Sequence, residues 1–347
     1  MISGLLRDHS ETLHLSWFWR VLSLPVWIAD HLPGLAIRRW ALRHLVLRTS
    51  PVFVHTLESQ AAGYLASSAL RNNATPLFLT LFGSDLFWFS RISRHQKVLN
   101  ALLERVSYLA SECSRDLVIA QRLGFKGKYF KLGPVSGGLI VDDSIRKLAA
   151  VLPTSRRIIA VKGYTNFVGR AQVAFSALRS LRHGLDHFQI IVYSATYRAR
   201  LEVLLMKWLL KMNIRAFPKR AMSHSQTLAL LAQSSVLIAV SDSDGLPSSM
   251  CEAMAVGTFV IQSGTACCEE LIEHRKNGYV LKENDRDAVT AAIHFWLGNS
   301  MVIDAAARLN MTRMATFLDP VRRREEAVDN YRWILADLGW TSEARGQ

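Results

Sequence analysis

The sequence predicts an α/β protein with two domains, each built on a parallel β-sheet. Short apolar runs alternate with amphipathic stretches along most of the chain, which is the pattern of buried parallel strands joined by helices. The chain has 347 residues, and its hydrophobic content of 50% can supply two cores. We expect an N-terminal domain over residues 1–150, a C-terminal domain over 151–318 and a terminal helix over 319–347.

Four apolar runs of strand length stand in the N-terminal domain, separated by helical stretches. These predicted strands are residues 52–54, 77–81, 108–110 and 129–132. His55 and Glu58 follow the first run, Gly83 follows the second and Glu112 follows the third. The carboxyl ends of parallel strands meet at one edge of a sheet, so these four residues are candidates for contacting a ligand. The alternative for His55 and Glu58 is ordinary hydrogen bonding at a strand end.

The first strand predicted in the C-terminal domain ends in a cation. Residues 157–162 form an apolar strand that closes with Lys162, and the next helix begins near Arg170. A cation at a helix N-terminus opposes the helix dipole by roughly 0.3–1 kcal/mol, so a nearby anion would explain Arg170. The alternative is that both side chains are simply solvated. A helix over residues 201–212 and a strand over 214–217 follow.

Residues 238–261 are the most informative part of the chain. They read as a strand, an acidic turn, a helix and a second strand, so the turn lies where open α/β sheets bind ligands. Ser248 or Ser249 is predicted to N-cap the helix, whose free N–H groups favour an anion such as a diphosphate. Glu252 lies in the opening turns, where it could accept two sugar hydroxyls. An acid there is also favoured by the helix dipole without any ligand.

This stretch resembles the donor-site signature of glycosyltransferase family 4, the retaining group 1 enzymes of the GT-B fold. The resemblance rests on D-G-L-P-x-x-x-C-E-A-M-A-x-G, which runs from Asp244 to Gly257, and it continues through Asn277-Gly278, a pair suited to positive φ. In that family two acids with seven residues between them contact the transferred sugar and the nucleotide ribose, and Asp244 and Glu252 hold those places. The resemblance implies two Rossmann-like domains facing across a cleft, with the terminal helix crossing back to the first.

The resemblance also implies roles for other residues. It places the strand-end residues His55, Glu58, Gly83 and Glu112 on the side of the acceptor substrate. Lys162 and Arg170 hold the places of the two cations that bind the donor diphosphate, with the residue types exchanged. Phe217 and Lys219 follow a strand whose loop lines the nucleobase in the family, although Phe217 can equally be a core residue. The residues expected to form the rest of the donor site are Gly245, Leu246, Pro247, Ser248 and Ser249.

Several positions depart from the family pattern. Many members have a His beside the transferred sugar where this chain has Phe82, so we expect no catalytic His. The first acid is normally Glu rather than Asp244, and the paired glycines of the family are replaced by Ala266 and Cys267. No glycine-rich loop is visible in residues 1–50, so either the start is truncated or misassigned, or the acceptor domain is abbreviated.

These observations predict a retaining, metal-independent glycosyltransferase. We expect it to move a sugar from a nucleotide-diphosphate sugar to a glycan or lipid-linked acceptor, as in the biosynthesis of cell-surface polysaccharide or lipopolysaccharide. Because the departing phosphate can take the proton of the acceptor hydroxyl, the task of the protein is largely electrostatic. Two alternatives remain, a non-catalytic nucleotide-sugar-binding relative and a nucleotide-sugar epimerase on the same fold.

A metal is not expected, although Asp242-Ser243-Asp244 also matches the D-x-D motif that holds a metal in GT-A enzymes. The helix that follows, with Glu252, explains Asp244 better, so we expect no cofactor besides the co-substrate. The cysteines have no metal-ligand spacing, and reduced thiols in the cytoplasm are expected. They are Cys113, Cys251, Cys267 and Cys268.

The formal net charge of +14 suggests a partner beyond the donor. No nucleic-acid module or base-stacking platform is visible, so nucleic acid is not the expected partner. Residues 15–48 alternate aromatic and aliphatic side chains with arginines, and residues 87–94 repeat the pattern, as interfacial membrane segments do. An amphipathic helix docked on its own domain has the same pattern. Since no segment reaches the ~20 apolar residues needed to span a bilayer, we expect peripheral attachment to the inner face of the cell membrane.

Overall fold

A computed structural model of the chain describes residues 37–134 and 136–340, and it contains two parallel β-sheets. The strands of the first sheet are β1 (Val54–Leu57), β2 (Leu77–Thr80), β3 (Tyr108–Ser111) and β4 (Lys128–Lys131). The strands of the second are β5 (Ile158–Lys162), β6 (Gln189–Ala195), β7 (Ile214–Pro218), β8 (Ser234–Ala239), β9 (Phe259–Ser263) and β10 (Tyr279–Leu281). The predicted α/β class with two parallel sheets is confirmed.

Helices connect the strands and cover the sheets. In the N-terminal part they are α1 (Ile37–Thr49), α2 (Tyr64–Ala69), α3 (Ser84–Phe87), α4 (Ser93–Arg105), α5 (Ser114–Arg122) and α6 (Asp143–Ala149). In the C-terminal part they are α7 (Ala171–Ser180), α8 (Tyr197–Leu209), α9 (His224–Gln233), α10 (Ser248–Ala255), α11 (Arg286–Gly298), α12 (Ser300–Phe317) and α13 (Pro320–Asp337). A π-helical turn, Glu58–Gly63, precedes α2.

The order of the strands places a ligand-binding crevice in the second sheet. The first sheet runs β1-β2-β3-β4, whereas the second runs β10-β9-β8-β5-β6-β7. In the second sheet β5 therefore pairs with β6 on one side and with β8 on the other. The chain builds the sheet on one side of β5 through β6 and β7, and then crosses to the other side at β8. Loops diverge at such a switch point, which is where open α/β sheets bind their ligands.

The second sheet is buried on both faces, as its apolar strands require. Ile159 and Val161 of β5 pack with Phe175 of α7, whereas Ala160 faces the opposite layer, where it joins Met250 of α10. This alternation follows from the two-residue period of a strand, which sends neighbouring side chains to opposite faces. The carboxyl ends of the strands are thus fixed by a core on either side.

The terminal helix α13 lies on the first sheet. Ile334 of α13 is fully buried against Phe78 and Tyr108, and Tyr331 packs beside it. The Tyr108 hydroxyl donates to Asp337 Oδ2 at 2.7 Å. Burial raises the pKa of Tyr108 to about 12, so this hydroxyl stays protonated and remains a donor.

The structure describes only part of the two segments, residues 15–48 and 87–94, that were predicted to contact a membrane. Residues 15–36 lie outside the described residues. In the stretch 87–94, the Phe87 ring lies between the guanidinium groups of Arg91 and Arg115, 4.0 and 3.9 Å from its centroid, and Phe89 is 6.5 Å from Phe167 by ring centroids. This stretch is docked on the protein itself, which was the alternative interpretation. Among the described residues, no helix is both long and apolar enough to cross a membrane.

Candidate functional site

The two domains touch where the carboxyl ends of their sheets face each other. Gly83 follows β2, and a Cβ atom built on it would lie 2.0 Å from the backbone nitrogen of Gly245, in the loop after β8. Ser84 and Ser243 extend the contact through their hydroxyl groups, whose oxygens are 3.1 Å apart. Gly83 has φ of 101°, a conformation that glycine adopts without strain. The sequence predicted Gly83 and Gly245 as site residues, and the structure brings them together.

Arg115 joins the domains at the same place, although no feature of the sequence identified it. Its guanidinium donates to the carbonyl of Thr265 at 2.7 Å and to the carbonyl of Asp244 at 3.1 Å. It also pairs with Asp116, whose pKa is raised to about 6 because the carboxyl is buried, although the charge of Arg115 opposes that rise. An arginine in the first turn of an amphipathic helix gives no local signal of such a role.

A cavity of about 150 Å³ lies at the carboxyl ends of β5, β8 and β9, with Ser84 of the opposite domain on its wall. Lys162 Nζ is 3.5 Å from Asp244 Oδ2, and it lies 5.1 Å from the centre of the Tyr164 ring. The remaining lining residues are Asn166, Val168, Ala239, Val240, Ser241, Ser243 and Gln262. The structure thus places the predicted Lys162 and Asp244 in one cavity at the switch point.

Two buried polar atoms in the cavity wall lack a hydrogen-bond partner within the described parts of the chain. They are Gln262 Oε1 and Ser241 Oγ, and only 1% of Gln262 is exposed. A buried polar atom without a partner costs about 1–3 kcal/mol, so a ligand with hydroxyl groups would relieve that cost. Gln262 was not predicted, because it stands inside an apolar strand run.

Arg170 has a protein partner. Its guanidinium forms an ion pair with the Asp242 carboxylate, and it donates to the Gly169 carbonyl at 3.1 Å. Asp242 also accepts from Asn284 Nδ2 at 3.0 Å. The anion expected beside Arg170 is therefore the Asp242 carboxylate. The two residues meet because they follow β5 and β8, which are neighbours in the sheet.

Glu252 lies on α10 with 17% of its side chain exposed. Its Oε1 atom is 2.9 Å from Nε2 of His224, the first residue of α9. Nearby, Tyr193 Oη and Ser249 Oγ are both buried. Burial raises the pKa of Tyr193, so its hydroxyl stays protonated. His224 was not predicted, since the only signal for it is a capping sequence that explains α9 alone.

The prediction that Ser248 or Ser249 caps α10 is wrong. The helix begins at Ser248, and Pro247 takes the N-cap position without a side-chain cap from the described residues. Proline at this position has the extended backbone of an N-cap residue, and its carbonyl accepts from the N–H of Met250 at 3.0 Å. The first N–H groups of a helix have no acceptor within the helix, so those of Ser248 and Ser249 are available to an anion.

The acceptor-side candidates are mostly engaged with the protein. Both ring nitrogens of His55 are bonded, Nδ1 to Tyr331 Oη at 2.7 Å and Nε2 to Thr80 Oγ1 at 2.8 Å. His55 therefore anchors α13, which corresponds to the alternative of strand-end hydrogen bonding. Glu112 is buried, and its Oε2 accepts from the N–H of Leu246 at 3.2 Å, which ties the predicted donor loop to β3. Glu58 is half-buried with a positive φ of 68°.

The remaining candidates differ in how the structure places them. Phe217 is half-buried and packs against the core of the C-terminal domain, as its alternative interpretation held, whereas Lys219 is exposed just beyond β7. Positive φ occurs at Arg275, with φ of 64°, rather than at Asn277-Gly278. Asn277 is instead buried, with its amide donating to the Leu271 carbonyl at 2.9 Å.

Cys267, at which the sequence departs from the family pattern, has φ of 47°, which is in the left-handed region. Glycine adopts this conformation without strain. Within residues 37–134 and 136–340, no three His, Cys, Asp or Glu side chains are grouped in a way that could hold a metal ion.

The C-terminal half of the chain is similar in sequence to a known protein family. Residues 149–313 match the family of group 1 glycosyl transferases. That stretch contains β5 to β10 and every predicted donor-site residue. No protein of curated function matches the chain significantly.

Solved structures show the same fold. HepE from Anabaena, in complex with UDP and glucose, is 15% identical with a TM-score of 0.65, covering 84% of this chain and 81% of its own. Sucrose-phosphate synthase from Thermosynechococcus elongatus is 14% identical with a TM-score of 0.67, covering 86% and 77%. An α,α-trehalose-phosphate synthase from Burkholderia vietnamiensis is 12% identical with a TM-score of 0.65, covering 91% and 83%. These similarities confirm the two-domain GT-B architecture.

Proposed function

We propose that this protein is a retaining glycosyltransferase that uses a nucleotide-diphosphate sugar. One observation carries the proposal: Lys162 and Asp244 meet in a cavity at the switch point of the second sheet, and α10 begins at Ser248, shortly after Asp244 in the chain. A cation, a carboxylate and a helix N-terminus together suit a ligand with both phosphates and hydroxyls. The match of residues 149–313 to group 1 glycosyl transferases supports the same conclusion.

In the proposed reaction the acceptor hydroxyl oxygen bonds to the anomeric carbon on the face that the nucleotide leaves. The bond from that carbon to the phosphate oxygen breaks, and the departing phosphate takes the hydroxyl proton. Lys162 and the N–H groups of Ser248 and Ser249 stabilise the charge that grows on the diphosphate, each such donor contributing roughly 3–4 kcal/mol. Asp244 accepts hydrogen bonds from hydroxyl groups of the sugar, and Glu252 accepts them from hydroxyl groups of the ribose. These bonds orient the donor for the reaction.

The proposed reaction uses no metal ion. Asp242 forms an ion pair with Arg170, and Asp244 lies beside Lys162, so each carboxylate of the D-x-D sequence already faces a cation. Of the two cations, Lys162 lies in the cavity, where it and the first N–H groups of α10 would meet the charge of the diphosphate in place of a metal ion. Turnover that persists in a chelating agent would agree with this proposal, and an obligatory requirement for magnesium or manganese would contradict it.

The proposed acceptor is a glycan or a lipid-linked sugar at a membrane surface. The net charge of +14 favours an anionic surface, and α1 exposes Trp40 and Leu47 by 67% and 59%. Biosynthesis of a cell-surface polysaccharide or lipopolysaccharide at the inner face of the cell membrane would supply such an acceptor.

Calorimetric titration with UDP, GDP, ADP and their sugars tests the donor site. We expect selective micromolar binding of one nucleotide, and a loss of at least about tenfold in Lys162→Ala and in Glu252→Ala. Lys276→Ala and Glu273→Ala are matched controls, because this exposed ion pair lies in the same domain outside the cavity. Unchanged affinity in Lys162→Ala would contradict the proposal, because the proposal depends on this residue.

Product analysis separates the proposed reaction from its alternatives. A transferase releases nucleotide diphosphate only when an acceptor is present, and the product keeps the anomeric configuration of the donor. Release of an epimer without an acceptor would show an epimerase. Binding without turnover on any acceptor tested would favour the non-catalytic relative.

A further inference from the structure

Helix α8 carries a stripe of large apolar side chains that face solvent. Leu201, Leu204 and Leu205 are each about half exposed, at 50%, 49% and 50%. Tyr197 and Trp208 are exposed by 79% and 63%. Every one of these residues belongs to the helix Tyr197–Leu209, which lies between β6 and β7 in the chain.

The spacing of the stripe places it on a single face of the helix. Positions 197, 201, 204, 205 and 208 fall within an arc of roughly 100° when residues advance by 3.6 per turn. The buried residues Ala199, Val203 and Met206 lie on the opposite face, where they pack on the second sheet. The stripe therefore faces away from the packing of the domain, and its side chains stay about half exposed or more.

Basic side chains flank the stripe. Arg200 and Lys207 lie along one side and Arg198 along the other, and all three are exposed. The helix has one acidic residue, Glu202, whose Oε1 is 2.6 Å from the guanidinium of Arg179 on α7. The rim of the stripe thus keeps an excess of positive charge.

From this pattern we infer that α8 is a membrane-docking helix that inserts its apolar stripe into an anionic bilayer surface. Leucines and a tryptophan would lie at the boundary of the acyl chains, and the flanking cations would meet anionic headgroups. The net charge of +14 adds a long-range attraction to the same surface. A second protein copy would have to bring acidic residues to match this rim, whereas an anionic lipid surface supplies the complementary charge directly.

The helix also connects this surface to the site. Thr196, the N-cap of α8, donates its N–H to the Gly163 carbonyl at 3.1 Å, and its hydroxyl bonds to that of Thr165. Both partners belong to the loop that follows Lys162. The docked helix would therefore hold the cavity near the bilayer, within reach of an acceptor linked to lipid.

Flotation with lipid vesicles tests the inference. The full chain should bind vesicles of phosphatidylglycerol and phosphatidylcholine, and Leu201→Gln/Leu205→Gln/Trp208→Gln should weaken that binding by at least about tenfold. All three side chains are exposed, so the fold should persist. The matched control is Met301→Gln/Leu309→Gln/Val321→Gln, which removes exposed apolar side chains from α12 and α13.

A second variant isolates the role of charge. Arg198→Gln/Arg200→Gln/Lys207→Gln should weaken binding to anionic vesicles by at least about tenfold and leave binding to phosphatidylcholine vesicles unchanged. High salt should act in the same direction on the wild type, because at 1 M the Debye length falls to about 3 Å. Equal binding of anionic and neutral vesicles by the wild type would overturn the inference.

Two further results bear on the inference. Vesicle binding that is unchanged in the Leu201/Leu205/Trp208 variant would overturn it, and so would a dimer, seen by light scattering, that this variant converts to monomers. Calorimetric titration of the same variant with nucleotide should match the wild type, since α8 lies outside the donor cavity. Failure of the membrane inference and failure of the proposed donor site can therefore be distinguished.

Discussion

The backbones of Gly83 and Gly245 are in direct contact across the two domains. A Cβ atom on Gly83 would lie 2.0 Å from the nitrogen and 2.5 Å from the Cα of Gly245, and backbone atoms cannot move aside as a flexible side chain can. We predict that Gly83→Ala separates the two loops, which should increase the radius of gyration in X-ray scattering. The sugar nucleotide should also bind more weakly, because Ser84 leaves the cavity wall.

Gly137→Ala is the control for Gly83→Ala. Gly137 has φ of 77°, so an alanine there has the same kind of backbone strain, roughly 1–3 kcal/mol, but the added Cβ would meet no atom within 4 Å. We expect this variant to lose stability and to keep the dimensions and the donor affinity of the wild type. Equal scattering profiles for the two variants would show that the contact of Gly83 with Gly245 does not set the domain arrangement.

The sequence predicted the second sheet well because its strands are buried on both faces. The apolar run at residues 236–240 corresponds to β8, Ser234–Ala239, and the run ending at Lys162 corresponds to β5. The first strand was predicted at residues 52–54 and lies at Val54–Leu57. It is an edge strand in which Thr56 is buried and Leu57 is exposed, so hydrophobicity does not mark its ends.

The candidate site was predictable where its residues stand in a recognisable local pattern. Lys162 closes an apolar strand run, and Asp244 and Glu252 flank the start of one helix. Arg115 and His224 reach the site from other segments, and Gln262 is hidden in an apolar strand, so no local pattern identified them. The N-cap of α10 was predicted wrongly because Pro247 occupies that position through its backbone conformation alone, without the side-chain hydrogen bond that a serine would make.

The ion pair between Arg170 and Asp242 predicts how the site responds to a change of charge. Asp242→Asn should raise the affinity for nucleotide diphosphate by roughly threefold to tenfold, because a carboxylate beside the anion is removed and Arg170 is released. Arg170→Gln should lower the affinity by a similar factor. Calorimetric titration measures both, and Glu202→Gln serves as the control because it alters an ion pair outside the cavity.

The opposite result for Asp242 would be equally informative. A loss of nucleotide affinity in Asp242→Asn, at unchanged stability, would mean that this carboxylate contacts the ligand or holds a metal for it. The proposal of a metal-independent site would then fail. Repeating the titration with and without magnesium identifies which of these two contacts is lost.

His55 predicts a dependence of stability on pH. Burial lowers its pKa from 6.5 to about 4, so the unfolded chain takes up this proton near pH 6.5 and the folded protein only near pH 4. The unfolded state therefore binds more protons across this window, and the free energy of unfolding should fall by about 2–3 kcal/mol as the pH drops from 6.5 to 4. Urea unfolding at several pH values measures this change.

Substitution of His55 isolates its contribution. His55→Gln keeps an amide that can bond to Tyr331 and Thr80 but cannot take up a proton, so its stability should depend less on pH across the same window. His183→Gln removes an exposed histidine elsewhere and should retain the wild-type dependence. An identical pH dependence in His55→Gln and the wild type would show that another group titrates.

Gln262 predicts which part of the donor the cavity recognises. Its Oε1 atom is buried in the cavity wall without a hydrogen-bond partner from the described residues, so it can accept a hydroxyl of the transferred sugar. Gln262→Leu keeps most of the side-chain volume and removes the polar atoms. It should leave the affinity for the free nucleotide diphosphate within about threefold of the wild type, while discrimination between sugar nucleotides falls about tenfold or more.

The control is Asn100→Leu, which removes another buried amide oxygen that lacks a partner, at a position in α4 of the N-terminal domain. This variant should keep the sugar preference of the wild type, since Asn100 does not line the cavity. Competition between pairs of sugar nucleotides with the same base measures the preference directly. If Gln262→Leu weakened the free nucleotide and its sugars equally, the amide would contact the diphosphate, and recognition of the sugar would fall to Asp244.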